Sequence, residues 1–385
     1  MLVTPKSELE RRHSEIRKRL TDNGLRYLVL GSSGQTNHRG MLRYFADYYI
    51  SVFEEFLVID AEGPTVFFAH DGVGAAYVKE EGSVDEVLFI PGMEYNTVPG
   101  KCVGEYLRKH DVKKAAYAGF GGISAHFLQS MKDACPGLEL VYFDHEVWEM
   151  RMRKSPYEVE LSKATIKLNE DNYKYWLSLV KPGVYEDDAI DLAGAYGWSL
   201  HTEDQYWLTD TRFHPIWSPV PLAREKHHMW QEGDQIGIVL EHSAPGGHYS
   251  EVARHVFIGE PDREFKEGYE LLKEAQAAGF EAMKPGNTVG DVAQAVENVM
   301  TKSVYGAYLK DGVNNMGHGQ GLDIWEYPMI NREEKIVLAP GMRLNLHPNV
   351  KFQDGKTANC CELYLVTENG AEKLSTLPTE LTIVE

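Results

Sequence analysis

The sequence has no apolar run approaching the ~20 residues that a membrane span requires. Its opening stretch, MLVTPKSELERRHSEIRKRL, lacks the apolar centre of a secretory signal. Cysteine is scarce: Cys102, Cys135 and the adjacent Cys360 and Cys361, none in a CxxC spacing. A disulfide framework is therefore not expected, and a reducing, cytoplasmic setting is the simplest reading. Positive charge is also short. Lys+Arg 39 against Asp+Glu 58 leaves 39 − 58 = −19, with no long basic run. Such a surface repels phosphate backbones and anionic lipid, which disfavours nucleic acid and membrane and favours a small-molecule partner. No serine sits in a GxSxG elbow and no Cys/His signature is present, so nucleophilic serine or cysteine catalysis is disfavoured. The glycine-rich GFGGIS at 119–124 lacks the GxGxxG spacing of a dinucleotide site.

What is present suffices for two domains: 385 residues, 43% of them apolar. Residues 1–150 alternate helix-like segments with short β-rich runs such as YLVL (27–30), FLVID (56–60) and LELVYF. A boundary falls near RMRKSPYEVEL, where Ser155, Pro156 and Glu158 form a helix start. Residues 151–385 contain an internal echo. LVKPGVYEDDAIDLA (179–193) matches AMKPGNTVGDVAQAV (282–296), and EGDQIGIVLEH (232–242) matches APGMRLNLHPN (339–349). Each half then continues into an acidic strand, HYSEVARHVFIG with Glu251 and CCELYLVTENG with Glu362. Two similar α/β halves facing each other across a pseudo-two-fold axis explain this, with a site at the join.

The segment GIVLEHSAPGGHYSEVARH (237–255) reads as a hairpin turning near Gly246, which sets Glu241 opposite Glu251. Facing carboxylates are destabilising unless a cation, a shared proton or an arginine such as Arg254 compensates them. The alternative is that both side chains point into water. His318 lies between two glycines in NNMGHGQGLDIWEYP, where the backbone can approach a ligand closely; read alone it is an ordinary loop histidine. His347 ends the strand LNLHP and read alone is a satisfied core histidine. His227 and His228 precede a turn at Gly233 and read as a solvated pair. Trp325, Tyr327 and Trp217 form either a pocket wall or core.

In chain order, MRMRKSPYEVELSKA, KPGVYEDDAIDLA, EGDQIGIVLE, YSEVARHVFIG, GHGQGLDIWE, LAPGMRLNLHP and ELYLVTENGAEKL resemble the pita-bread family of creatinase, aminopeptidase P and prolidase. The resemblance implies an α/β (α+β) fold, with a small creatinase-like N-terminal domain (1–150) and a pseudo-two-fold catalytic domain (151–385). It also implies a homodimer, in which the segment at 31–49 reaches the partner's pocket. The family's metallopeptidases hold two divalent ions with two aspartates, a histidine and two glutamates. Carried over, the second aspartate falls on Glu251, the histidine on His318, the first glutamate on His347 and the final glutamate on Glu362. The first aspartate falls on Val239 or Leu240, with Glu241 as a displaced substitute, and the peptidases' second histidine falls on Trp325.

At most three carboxylates remain to balance metal charge. The expectation is one divalent ion (iron, manganese or zinc) held among Glu241, Glu251, His318, His347 and Glu362, or no ion, and not a two-metal cage. The expected function is hydrolysis of an amide- or amidine-like C–N bond in a small molecule. His318 and Glu362 would position water or the ion, and Glu251, Glu241 or His347 would exchange protons. His228, or its neighbour His227, falls near the place of creatinase's histidine. Trp325, Tyr327, Trp217 and Arg254 would contact substrate. The alternatives are a lyase resembling the dimethylsulfoniopropionate lyases of this fold, an Xaa-Pro peptidase, or a non-catalytic pita-bread binding module.

Overall fold

The computed structural model describes residues 4–385 except 51–52, 71, 81–82, 92–96, 212–213, 220–226, 312–314 and 354–355. The side chains of 73, 97, 210–211, 214–219 and 311 also lie outside that description. The chain divides into two compact units, Met1–Arg151 and Met152–Glu385.

In the first unit the β-rich runs become the strands β1 (Tyr27–Ser33), β2 (Glu54–Asp60), β3 (Thr65–Ala69), β4 (Glu86–Phe89), β5 (Lys114–Ala118) and β6 (Glu139–Tyr142). They form one sheet in the order β4-β3-β2-β1-β5-β6. Its helices are α1 (Lys6–Asp22), α2 (Gly40–Ala46), α3 (Gly72–Glu80), α4 (Thr97–Lys109), α5 (Ala125–Ala134) and α6 (Asp144–Met152). The central β1 is buried on both faces, which is why it reads as a continuous apolar run without alternation.

The second unit opens with α7 (Pro156–Leu179), started by a complete capping box. The Ser155 hydroxyl accepts from the Glu158 N–H, and the Glu158 carboxylate accepts from the Ser155 N–H. After α8 (Glu186–Ser199) come β7 (Asp204–Thr211), β8 (His214–Pro219), β9 (Gln235–Ser243) and β10 (Tyr249–Ile258). Gly246 and Gly247, both at positive φ, make the turn between β9 and β10. The second half repeats the plan with α9 (Arg263–Ala282), α10 (Val289–Met300), β11 (Gly317–Gly319), β12 (Glu326–Met329), β13 (Arg343–Leu346), β14 (Asn349–Lys351), β15 (Thr357–Asn359), β16 (Glu362–Thr367), β17 (Gly370–Lys373) and β18 (Thr382–Val384). Two five-stranded sheets result, β18-β10-β9-β7-β8 and β12-β11-β13-β16-β17.

Each sheet turns one face to its own helices. Ile238, Leu240, Val252 and Val256 pack against Ile166, Tyr173 and Trp176 of α7 and Ile190 of α8. Leu344, Leu346, Tyr364 and Val366 pack against Tyr269 and Leu272 of α9 and Val292 and Val296 of α10. Because strand side chains alternate, the remaining face of β9 and β10 carries Val239, Glu241, Glu251 and Ala253. An antiparallel bridge between Ala253 and Cys361 joins the halves, and Val239, Ala253 and Cys361 make a small apolar floor there.

Matching amides brace the two halves. Asn169 of α7 donates to the carbonyl of Ser250 (2.7 Å), and Gln276 of α9 donates to those of Leu346 and Cys360 (both 2.6 Å). Arg343 ties the halves together by donating to the Gln320 carbonyl, the Ser162 hydroxyl and the Tyr249 carbonyl.

At the start of α8, Glu186 is buried, and its carboxyl is pushed up to about 7. Burial is the main cause, and the negative charges of Asp187 and Asp234 add to it. The folded state therefore holds this proton more tightly than the unfolded chain. The group's stabilising contribution is complete below about pH 4.5 and is lost as pH rises through about 7. Glu186→Gln should leave the melting temperature unchanged at pH 4.5. At pH 8 it should raise stability by up to about 3 kcal/mol, taking ~1.4 kcal/mol per pH unit. Equal melting curves at pH 8 would show that Glu186 is not held protonated by its surroundings.

Candidate active site

Glu241 and Glu251 are direct cross-strand partners in the β9–β10 register, and each is only 4% exposed. The solvated alternative is thus set aside. Each is held by a buried amide: Gln320 Nε2 donates to Glu241 Oε2 (3.1 Å) and Asn345 Nδ2 donates to Glu251 Oε2 (3.2 Å). Burial raises the Glu241 carboxyl well above the ordinary range, and the charge of Glu251 raises it further against the Gln320 hydrogen bond. Burial also raises Glu251, opposed by the neighbouring His347 imidazole and Cys361 thiol.

The second sheet brings the histidines. His318 on β11 pairs with Asn345 on β13, and its Nδ1 lies 2.8 Å from the Gly319 carbonyl. That contact assigns the proton to Nδ1 and leaves the Nε2 lone pair, 3.8 Å from Glu251 Oε2, facing the site. Burial lowers His318 to about 3, with His347 as the next contributor, so the imidazole is neutral. The His318 and His347 rings stand edge to face at 5.2 Å. One donor atom each from Glu251, His318 and His347 lie within 4.8 Å of one another, the one such group among the described residues.

The glycines flanking His318 serve a different purpose from the one the sequence suggested. A Cβ on Gly317, whose φ is +148°, would stand 2.0 Å from the Asn345 carbonyl oxygen, and one on Gly319 would stand 2.4 Å from that of Tyr327. They allow strands β12 and β13 to close on β11 and so fix His318, rather than admitting a ligand.

The aromatic residues take two positions. The Trp325 ring is 5.6 Å from the His318 ring and about half exposed, and Tyr327 is also exposed. The Trp217 side chain lies outside the described residues.

Three expected site residues are elsewhere. Glu362 belongs to the opposite strand face from Cys361. Its Oε1 accepts from Arg254 Nη2 (2.7 Å), Lys373 Nζ (2.7 Å) and the Thr379 hydroxyl (3.0 Å). It is the centre of a buried ion cluster and not a neighbour of His318. Arg254 follows the same parity. It is buried, faces away from Glu251, and also donates to the carbonyls of Cys361 and Pro378, so it cannot compensate the glutamate pair. His228 contacts Asp234 Oδ2 at 2.7 Å, and Asp234 precedes Glu241 by seven residues, roughly 20 Å along an extended strand. His227 stacks on Tyr185 and meets Asp187. Neither histidine of this pair joins the cluster. The hairpin's own histidines do not join it either: His242 packs on Trp207 and His255 beside Phe265, while His248 lies 3.6 Å from Glu158.

The sequence reading passed over four residues that do belong to the site. Gln320 and Asn345 each stand two positions from a histidine that drew notice. Tyr206 is the register partner of Glu241 on β7 and partly exposed. Cys361 lies beside the glutamate that the motif favoured. Strand parity is the signal that would have found it, but β16 is buried on nearly its whole length and shows no alternation to read.

Comparison with known proteins adds a family. The model of metallopeptidase family M24 matches residues 163–368. Probable dipeptidase PepE of Mycobacterium tuberculosis (strain ATCC 25618 / H37Rv) is 30% identical over 241 residues, 61% of this chain and 61% of PepE. The chain thus spans about three fifths of that relative. The Xaa-Pro dipeptidase of Pyrococcus furiosus is 23% identical over 318 residues, 80% of this chain and 89% of that protein. Among solved structures, the X-Pro aminopeptidase from Thermotoga maritima MSB8 superimposes with a TM-score of 0.82 at 20% identity, covering 97% of this chain and 99% of that one. Dipeptidase PepE from Mycobacterium ulcerans gives 0.80 at 23% identity, covering 98% of both; at these identities the structural likeness bears on the fold. The family match takes in more than half of the sequence, including both strands of the glutamate pair and both histidines, and the chain belongs to metallopeptidase family M24.

Proposed function

We propose that this protein hydrolyses an amide-type C–N bond in a small molecule, using one divalent ion held by Glu251, His318 and His347. The observation that carries the reading is that group of three donors within 4.8 Å, facing a second buried carboxylate, Glu241. Two imidazoles and a carboxylate are an ordinary ligand set for a catalytic zinc or for a non-haem iron. His318 fits it in detail, since it is neutral and its Nδ1 is engaged by a carbonyl, as ligating histidines require. A second ion is poorly served. Glu241 stands outside the group and is tied to Gln320, and Glu362 is committed to Arg254 and Lys373. When bound, such an ion polarises a carbonyl and acidifies water.

The chain's own residues supply the rest. Glu241 takes and returns the proton, a role for which its raised affinity for a proton suits it. Gln320 fixes that carboxyl group, and Asn345 fixes Glu251. Tyr206 and Trp325 border the buried cluster on its exposed side, where a planar or cationic substrate would lie against them. The relatives are named dipeptidase and Xaa-Pro dipeptidase, which makes a peptide amide the first bond to test. Water must be gained by the products, and an unsaturated product would instead mark a lyase.

Protein purified without chelator should contain about one metal equivalent per chain, and Glu251→Gln or His318→Ala should lose it; two equivalents in the native protein would overturn the single-ion reading. Glu241→Gln should keep its metal while turnover of the best substrate, sought among dipeptides, Xaa-Pro dipeptides and N-acyl amines, falls by ~10²–10⁴-fold. Unchanged turnover would remove Glu241 from the chemistry.

A further inference from the structure

We propose that Cys361 is a fourth donor to this ion, a thiolate standing where the sequence motif pointed to Glu362. The inference rests on the single-ion reading above and names a ligand that reading does not include.

Three observations place the thiol at the site. The Ala253–Cys361 bridge, with the Cys361 N–H donating to the Ala253 carbonyl (3.3 Å), puts both side chains on the face that carries Glu251. The internal repeat gives the same answer independently. Asn169 braces the carbonyl of Ser250, the residue before Glu251, and Gln276 braces that of Cys360, the residue before Cys361. Cys361 is thus the second half's counterpart of Glu251. Finally, Cys361 packs against Val239 and Ala253 on the same inner face that carries the two glutamates. Its sulfur is not within the mutual 4.8 Å of the other three donor atoms. A single rotatable bond, Cα–Cβ, places a cysteine sulfur, and ligation requires Cys361 to turn about it.

Charge supplies the reason for a thiolate. Glu251 is 4% and His318 2% exposed, so an ion held there is nearly out of water. Among the donors themselves, one carboxylate and two neutral imidazoles leave a dication at +1, while Glu241, the other carboxylate facing the group, is the one that takes up the proton in the reaction. Glu362 cannot offset it from the far face. If the Cys361 S–H bond breaks as the S–metal bond forms, the proton leaves to solvent and the site becomes neutral. A sulfur donor also biases the site toward zinc or cobalt over manganese.

The test uses the full chain stripped of metal and titrated with cobalt(II), read by binding stoichiometry and by the near-ultraviolet thiolate-to-cobalt charge-transfer band. The expected result is one cobalt per chain with the band present. In Cys361→Ser the band should vanish and cobalt affinity should fall ~10–100-fold. One cobalt bound to the native protein without the band overturns thiolate ligation while leaving the single-ion reading intact. A band that survives in Cys361→Ser overturns it by assigning another thiol. No cobalt bound by the native chain sinks both readings. The decisive band is sought in the native protein, so the outcome does not depend on how well the variant folds.

Discussion

The antiparallel bridge between Ala253 and Cys361 is the constraint from which the placement of the site follows. It sets β10 of one half against the start of β16 of the other, and alternation then assigns every neighbouring side chain to one of two faces. Glu251, Ala253 and Cys361 fall on the inner face with Val239 and Glu241; Val252, Arg254 and Glu362 fall on the outer. A slip of one residue on the β16 side of this pairing would exchange Cys361 for Glu362 on the inner face, and one on the β10 side would exchange Glu251 for Arg254 and send Glu251 toward the α7 core. The buried guanidinium of Arg343, spread over Gln320, Ser162 and Tyr249, helps hold the register from the side.

The sequence made the architecture readable because the repeat lies in features that backbone geometry demands. The two Lys-Pro-Gly stops, the turn glycines at 233 and 341, and the acidic strands after them all recur, and they mark the same elements in both halves. The facing of Glu241 and Glu251 was readable for a similar reason. A hairpin whose turn is fixed by glycine at 246 and 247 has its register set by counting. Glu362 was misplaced because nothing comparable fixes the approach to β16. The segment TANCCELYLVT is apolar or buried on both faces, so parity is invisible and a motif match one residue out of phase looks sound. His228 was misplaced for another reason. Its nearness in sequence to the hairpin is nearness to the wrong end, since Asp234 lies seven residues before Glu241. The amides Gln320 and Asn345 carry no sign in the sequence, because an Asn or Gln in a strand looks the same whether it braces a carboxylate or meets water.

The buried carboxylates fall into two groups that differ in how their charge is met: Glu362 by cations, Glu241 and Glu251 by amides. Glu362 is compensated by two full cations, Arg254 and Lys373, which share its Oε1 with the Thr379 hydroxyl. Removing either cation would leave a charge unpaired in the interior. Glu241 and Glu251 receive amide donors from Gln320 and Asn345, and Glu251 stands beside the neutral imidazole of His318. Such donors orient a carboxyl group without settling its charge, so each of the two can be a neutral acid or an anion as its surroundings change. That ambivalence costs stability in the folded protein, because two carboxyl groups face each other out of water. It is absent at Glu362, which the other face of the neighbouring chain segment delivers to Arg254 and Lys373.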